Sequence, residues 1–424
     1  MRMQAFFSLI INYQLSIINY QLSIIMSHPF PTPPIQPFER LQATDGLLVN
    51  AERWRKAHDY HRRRQNAHYQ SLNQPGIVCG LGVQVIPAPK QVEAKYRDKR
   101  WLKIQPGIAI DLAGNMIVVP QAVEFRIATT VTGAEPVLLY LTVSYIDPDE
   151  LRQKQQLEMV QETFRIDEKS STPNSTEIEI CRILLPPGEV VVAQAAEVFF
   201  PGYNNIDLRY RRQAQTRPQA IARMAQVNHG DPDCARNFFN LAYLSQAVES
   251  LCANLRGTDE VSQVTLAENL GEYDLLYLTG KQGLSFNSQE VATLKSYLGA
   301  GGVLLVDAPV DAQPLIDSVQ SLATLVESPL KPLEELRRDH PLRIRPFLFA
   351  ALPVIGKQPI RLFSGGGIVL IIGDIGSAWG IDRELSLSRM TIRSAHELGI
   401  NILNYGVKRR QLIGLQQEDN LGEW

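Results

Sequence analysis

The sequence predicts two folded parts of different class. An α+β part, in which one long helix leads a β-rich sandwich or barrel, precedes an α/β part built on a parallel sheet. Three observations carry this. The stretch from Tyr273 to Asp307 reads strand, loop, helix, glycine turn, strand, and a crossover of that length joins parallel neighbours through a right-handed connection. Residues 76–200 are dense in short apolar or alternating runs separated by Gly, Pro and Asn turns, the pattern of a small sandwich or barrel. Finally, 424 residues is long for one core, so two or three domains are expected.

Composition narrows the function classes. With 45% hydrophobic and 20% charged residues the chain has the make-up of a folded globular protein. A net charge of −2 argues against a general nucleic-acid-binding surface. Cys79, Cys181, Cys234 and Cys252 stand far apart, with no C-x-x-C pair, so reduced thiols in a cytoplasmic protein are expected. The boundaries drawn are a leader at 1–37, a helix-plus-β domain at 38–201, a basic linker at 202–230, an α/β domain at 231–410 and a polar tail at 411–424.

In the leader, IINYQLS at Ile10–Ser16 repeats identically at Ile17–Ser23. Full heptad identity exceeds what a coiled-coil seam demands. It points to a translated DNA repeat, similar to heptameric repeats of cyanobacterial genomes, with translation starting at Met26. A membrane anchor through residues 1–26 and a signal peptide are the other readings. The Asn, Tyr and Gln pairs weaken the first, and the missing A-x-A site weakens the second.

Asn50 is placed to cap a helix over Ala51–Leu72. Trp54, His58, His61 and His68 fall near one side of it, read as a semi-buried aromatic seam, and Arg62, Arg63 and Arg64 form a basic run. His58 and His61, three apart, are the residues that could share a metal ion, but no carboxylate or thiol completes a ligand set. The helix therefore reads as an assembly surface whose interface residues are Trp54, His58, His61, Arg62, Arg63 and Arg64, with an acidic partner surface as one occupant.

Strands follow at 77–87, on both sides of the Ala113-Gly114-Asn115 turn, at Val137–Ile146, at Ile178–Pro186 and at Glu189–Phe200, with a polar helix-and-loop stretch from Pro148 to Thr176. The Arg-rich segment after Gly202 reads as a solvated linker, and Asp233 as the cap of a helix running to Leu251. The α/β part then takes Val261–Ala267 as its first strand. Leu275–Leu278 and Val303–Val306 are buried strands, joined by a helix with the Asn287/Glu290 capping box. Ile316–Val326 is a helix, Gly365-Gly366-Gly367 lead into the strand Ile368–Ile372, and Ser388–Tyr405 is a long helix with His396 packed beside its apolar side.

No catalytic set stands where such a sheet would place one. No Cys follows Cys252, which removes a thiolate elbow, and Gly376-Ser377-Ala378 lacks the G-x-S-x-G pattern. The glycines at 299–302 and 365–367 precede strands, unlike a dinucleotide loop. Ligands of parallel sheets sit beyond the carboxyl ends of the strands, here Gly280, Asp307 and Asp374. These three are the candidate ligand crevice; capping of the next helix is the other role for the aspartates. No cofactor is expected.

Two resemblances add to this. GLLVNAERW, HDYHRRRQNAHYQSLNQPGIVCGLGVQV and PGIAIDLAGNMIVVP, spread over Gly46–Pro120, resemble a family of baseplate- or tail-associated proteins of phage-tail-like contractile injection systems. That resemblance implies a non-catalytic structural subunit, present in several copies and bound to other subunits of the particle. YDLLYLTG, LKSYLGAGGVLLVD, DHP at Asp339–Pro341 and AHELGINILNYGV resemble an uncharacterised bacterial domain family with the class I glutamine amidotransferase-like fold. This implies a Rossmann-like, flavodoxin/amidotransferase-type parallel sheet, degenerate here and used for docking. A ligand-binding protein or hydrolase working through Asp307, Asp374 and His340 is the alternative.

Overall fold

The computed structural model describes residues 37–147, 161–258, 260–356, 358–381 and 385–416, and it divides the chain into two compact units that meet in sequence at Arg217 and Pro218. The readings made on residues 1–26 lie outside the described residues.

The first unit opens with α1, Ala51–Leu72, whose first turn is held by the Asn50 side chain accepting from the Arg53 amide at 2.9 Å. Among the described residues ten strands follow: β1 Gly76–Gly80, β2 Val83–Val85, β3 Trp101–Ile104, β4 Gly107–Ile110, β5 Met116–Val119, β6 Val123–Arg126, β7 Val137–Ile146, β8 Thr163–Lys169, β9 Glu177–Leu185 and β10 Ile206–Asp207. They form three sheets, ordered β1-β4-β5, β2-β3-β6 and β10-β9-β7-β8. All three bury side chains in one core, Leu102, Ile104, Ile117, Leu139 and Ile183 among them. In β9 inward residues alternate until a register shift between Leu141 and Thr142 of β7. Ile180 and Cys181 then both face inward, as a bulge permits.

Three expectations change among the strands of this unit. The run at 77–87 is two strands, because Gly80 and Leu81 both take positive φ, 68° and 53°. A Cβ on Gly80 would lie 2.0 Å from the Pro106 carbonyl oxygen, so glycine is required there. Within the polar stretch at 148–176, Thr163–Lys169 is a strand paired along β7 from Tyr140↔Lys169 to Ile146↔Thr163. It sits at a sheet edge, where half-buried polar residues are tolerated, so its composition hid it. Residues 189–200 contain no strand; they are tied by the Val192 amide to the Lys99 carbonyl at 2.8 Å and by a bridge between Ala193 and Asn205.

The basic segment after Gly202 is not a solvated linker. The Arg209 guanidinium pairs with Asp207 at 2.8 Å. Arg211 donates to the carbonyls of Gly80, Leu81 and Ile180, and Arg217 to that of Gln70 at 2.9 Å. These arginines satisfy carbonyls that the broken β1–β2 run and the end of α1 leave without ladder partners.

The second unit contains β11 Ala220–Ala222, β12 Met224–Val227, α2 Phe238–Leu251, β13 Leu255–Gly257, β14 Ser262–Val264, β15 Leu275–Thr279, α3 Ser288–Gly299, β16 Val303–Ala308, α4 Gln313–Leu325, β17 Lys331–Pro332, α5 Pro341–Ile344, β18 Val354–Ile355, β19 Gln358–Pro359, β20 Arg361–Gly365, β21 Ile368–Ile372 and α6 Arg389–Gly414. Its main sheet runs β14-β12-β15-β16-β21-β20-β17. The first five strands are parallel, and β20 and β17 add an antiparallel edge. Every residue of β15, β16 and β21 is buried, which is why they read as unbroken apolar runs. Leu275 and Tyr277 face a core shared with α2 and α6, while Leu276 and Leu278 face one shared with α3 and α4. Helices therefore cover both faces.

The capping box of α3 is present, and Ser388 caps α6, which runs on to Gly414. The first strand of the sheet is Met224–Val227, inside the segment expected to be linker; Ser262–Val264 pairs outside it at the edge. Four residues behind Arg223 are too few to show a period. Asp233 does not cap α2, which starts after Asn237; its amide instead donates to Asp231 at 2.9 Å.

Candidate functional site

The chain enters the parallel sheet at β12, returns to its outer side as β14, then crosses to β15, β16 and β21. Winding reverses between β12 and β15, and a sheet of this kind leaves its crevice at the carboxyl ends of those strands. Asn228–Asp231 leave β12 there, and Gly280–Gln282 leave β15. Asp307 ends β16 and Asp374 follows β21.

The structure joins two of the three expected crevice residues. Asp307 is fully buried. It accepts from the Tyr277 hydroxyl at 2.8 Å and from the amides of Ile375 and Gly376 at 2.9 and 2.7 Å. Asp374, at φ 56°, accepts from Asn237 Nδ2 at 3.1 Å and pairs with Arg236 at 2.9 Å. Asn237 Nδ2 also lies 3.0 Å from the Tyr277 hydroxyl, and Asn240 donates to the Gly376 carbonyl at 2.9 Å. Burial, and after it the charge of Asp374, pushes the Asp307 carboxyl up to about 7. Burial and then Asp307 raise the Tyr277 hydroxyl well above its ordinary value.

Neither aspartate caps the helix after its own strand. Asp307 reaches sideways and ties the turn at Ile375–Ala378 to the neighbouring strand. A carboxyl near neutrality can exchange protons, and here Asp307 also ties Tyr277 and the turn at Ile375–Ala378 to the end of β16.

Gly280 belongs to a second network. Its φ is 156°, and a Cβ there would meet Asp231 Oδ2 at 2.6 Å. That oxygen accepts from the amides of Lys281 and Gln282 at 2.7 and 2.8 Å. Burial pushes the Asp231 carboxyl up, but these backbone amides and that of Asp233 outweigh it and hold the group low. Beside it His229 Nε2 lies 2.9 Å from the Thr279 carbonyl oxygen. Amides at a switch point are the ones that would hold a ligand's anionic group; here the chain's own Asp231 takes them. His340 is not brought to this region: it caps α5, its ring lies against Tyr405 at 5.5 Å, and burial lowers its basicity. His396 packs as expected, Nδ1 2.8 Å from the Ile392 carbonyl oxygen.

The sequence reading missed Tyr277, Asn237, Arg236, His229 and Asp231. His229 and Asp231 directly follow β12, so recognising that strand would have exposed them through the strand-end rule. Asn237 and Arg236 carry no such signal.

In the first unit, α1 has no buried residue. Asn66 and Gln70 face the β4–β5 turn: the Asn66 and Asn115 amides meet at 2.8 Å, and Gln70 reaches the Leu112 carbonyl. Arg62 pairs with Asp59 and Asp147. Roughly a third of a turn round the helix, at 100° per residue, Trp54, His58, His61, His68 and Leu72 form one exposed stripe. Trp54 is 60% and Leu72 53% exposed, and the Trp54 ring meets His58 edge-on at 5.2 Å. The seam expected to be semi-buried is thus open. Arg63 is exposed on the side of α1 opposite the stripe, and Arg64 lies over Tyr60 with a 3.0 Å bond to its hydroxyl. No group of three or more His, Cys, Asp or Glu among the described residues could hold a metal ion, His58 and His61 included.

Residues 223–407 match a family described as a domain of unknown function, DUF4159, the region from which the second resemblance was drawn. No curated protein matches. A solved structure titled as TssK is similar at 13% identity over 50% of this chain and 48% of that one, with a TM-score of 0.24. The chain therefore spans about half the length of that protein. A ThuA-like protein from Bacteroides uniformis is similar at 12% identity over 45% of this chain and 92% of that one, with a TM-score of 0.23.

Proposed function

We propose that this protein is a non-catalytic structural subunit that docks onto other protein subunits through α1. The observation that carries the reading is the helix itself: 22 residues with none buried, presenting Trp54, His58, His61, His68 and Leu72 in one open stripe. Its polar side is held to the unit through Arg62, Asn66 and Gln70, which leaves the stripe open to a partner, and Trp with Arg is the composition of interface anchors. Six Lys and Arg against two Asp and Glu on α1 favour an acidic protein surface as its occupant. The motif resemblance over Gly46–Pro120 supplies the finer reading, a baseplate- or tail-associated component of a phage-tail-like contractile injection particle.

The α/β unit fits a docking module. Its strand-end carboxylates brace loops, and its switch-point amides are filled by Asp231. No described helix is long and apolar enough to cross a membrane.

The test is a pull-down of the tagged full chain from native lysate, with negative-stain imaging and identification of the eluted proteins. Sheath and tube proteins together with tail-like particles are expected. A Trp54→Ala/His58→Ala/His61→Ala chain should lose them, and an Asp307→Asn/Asp374→Asn chain should keep them. A clean monomer, or loss only with the aspartate variants, would overturn the reading in favour of a ligand-binding protein or hydrolase.

A further inference from the structure

The four-stranded sheet of the first unit ends on β8, and that edge is open. Among the described residues no strand pairs with the outer side of Thr163–Lys169, whose neighbour in the sheet is β7. No loop or turn of the described residues makes a backbone bond to these seven residues either. Ala128 and Thr129 approach, but their amides bond the Glu168 carboxylate and not the strand's own carbonyls. An edge of this kind offers a row of N–H and C=O groups to another strand.

The two faces of β8 differ. Phe164 and Ile166 pack against the core of the unit, yet both stay partly exposed because the sheet stops beside them. Arg165 and Asp167 stand on the other face, their side chains 59% and 49% exposed. They meet along the strand at 3.8 Å, and an ion pair that long and that exposed contributes little. Both charges can therefore pair across the edge.

The sequence of β8 is complementary to itself. A two-fold axis through an antiparallel pair sets one residue opposite its own copy, and the flanking residues then pair in reverse order. With Ile166 on the axis, Arg165 lies opposite Asp167 of the other copy, and Asp167 opposite its Arg165. Thr163 meets Lys169, and Phe164 meets Glu168, whose carboxylate is already satisfied by the Ala128 and Thr129 amides. No like charges face each other. Moving the axis to Arg165 sets arginine against arginine and Glu162 against Glu168. Moving it to Asp167 sets aspartate against aspartate and Arg165 against Lys169. Like charges directly opposite destabilise a strand pair and opposite charges stabilise it. Edge strands guarded against pairing carry charges that repel a second copy, whereas the pattern on β8 attracts one and selects a single register.

We propose that β8 pairs with β8 of a second copy about a two-fold axis at Ile166, joining two four-stranded sheets into one. About six to eight backbone hydrogen bonds cross the axis, flanked by two Arg165–Asp167 ion pairs. The contact is independent of α1.

Sedimentation velocity of the full chain across the micromolar range tests it. A monomer–dimer equilibrium is expected. Arg165→Glu sets two acidic pairs across the axis and Asp167→Lys two basic ones, so each alone should weaken the dimer by roughly tenfold or more. Mixed together, the two variants should associate as the parent chain does, because each acidic position then meets a basic one. Both side chains are largely solvated, so either variant should melt close to the parent chain. Trp54→Ala should leave the equilibrium unchanged. A chain that stays monomeric throughout, a dimer indifferent to the charge reversals, or a mixture no more associated than its components would overturn the proposal.

Discussion

Asp307 makes a prediction whose sign is unusual for a carboxylate. Its folded-state pKa is about 7, against about 3.9 in an unfolded chain. Between those values the folded state holds the proton and the unfolded state does not, so stability falls as pH rises through the window. The full loss, reached above neutrality, is roughly 4 kcal/mol at 1.36 kcal/mol per pH unit. About 2.5 kcal/mol of it falls between pH 5 and pH 8 by the same linkage. Asp307→Asn removes the titration but replaces one acceptor oxygen by a donor facing the Gly376 amide, which costs about 1–3 kcal/mol at every pH. The variant should therefore be less stable than the parent at pH 5 and close to it at pH 8. Urea unfolding followed by emission of Trp379, whose ring lies 5.8 Å from that of Tyr277, reads this unit when the other tryptophans are phenylalanine. A difference between parent and variant that does not change with pH would refute the assignment of the proton to Asp307.

Two further substitutions test the braces on either side. Gly376→Ala would place a Cβ 2.5 Å from the Tyr277 hydroxyl and 2.6 Å from Asn237 Nδ2; overpacking in a hydrogen-bonded site should cost about 2–4 kcal/mol, visible as a lowered melting temperature. Arg211→Met strands the carbonyls of Gly80, Leu81 and Ile180 and should cost about 2–4 kcal/mol, with Arg211→Lys recovering part of it. If the Met variant melted with the parent chain, the segment after Gly202 would be the solvated linker that its composition describes.

How much of this was legible depends on the range of the interaction concerned. Asn50, the Asn287/Glu290 box and Ser388 each act within three residues, so their spacing alone marks the starts of α1, α3 and α6. The buried strands β15, β16 and β21 announce themselves because helices on both faces force every position to be apolar. Thr163–Lys169 and Met224–Val227 gave no such sign. The first is an edge strand whose polar residues are allowed by half-exposure, and the second is too short to show a period. Both became strands through partners far away in sequence.

The same division separates the candidate sites. That Gly280, Asp307 and Asp374 stand at strand ends followed from the order of residues and the rule for parallel sheets. That Asp307 and Asp374 share one network, that Gly280 makes room for Asp231, and that the stripe on α1 is open were decided only by the tertiary structure. A carboxylate's role depends on which donors reach it. For Asp307 those donors come from Tyr277 and from residues 375 and 376, brought close by strand pairing that no local pattern encodes.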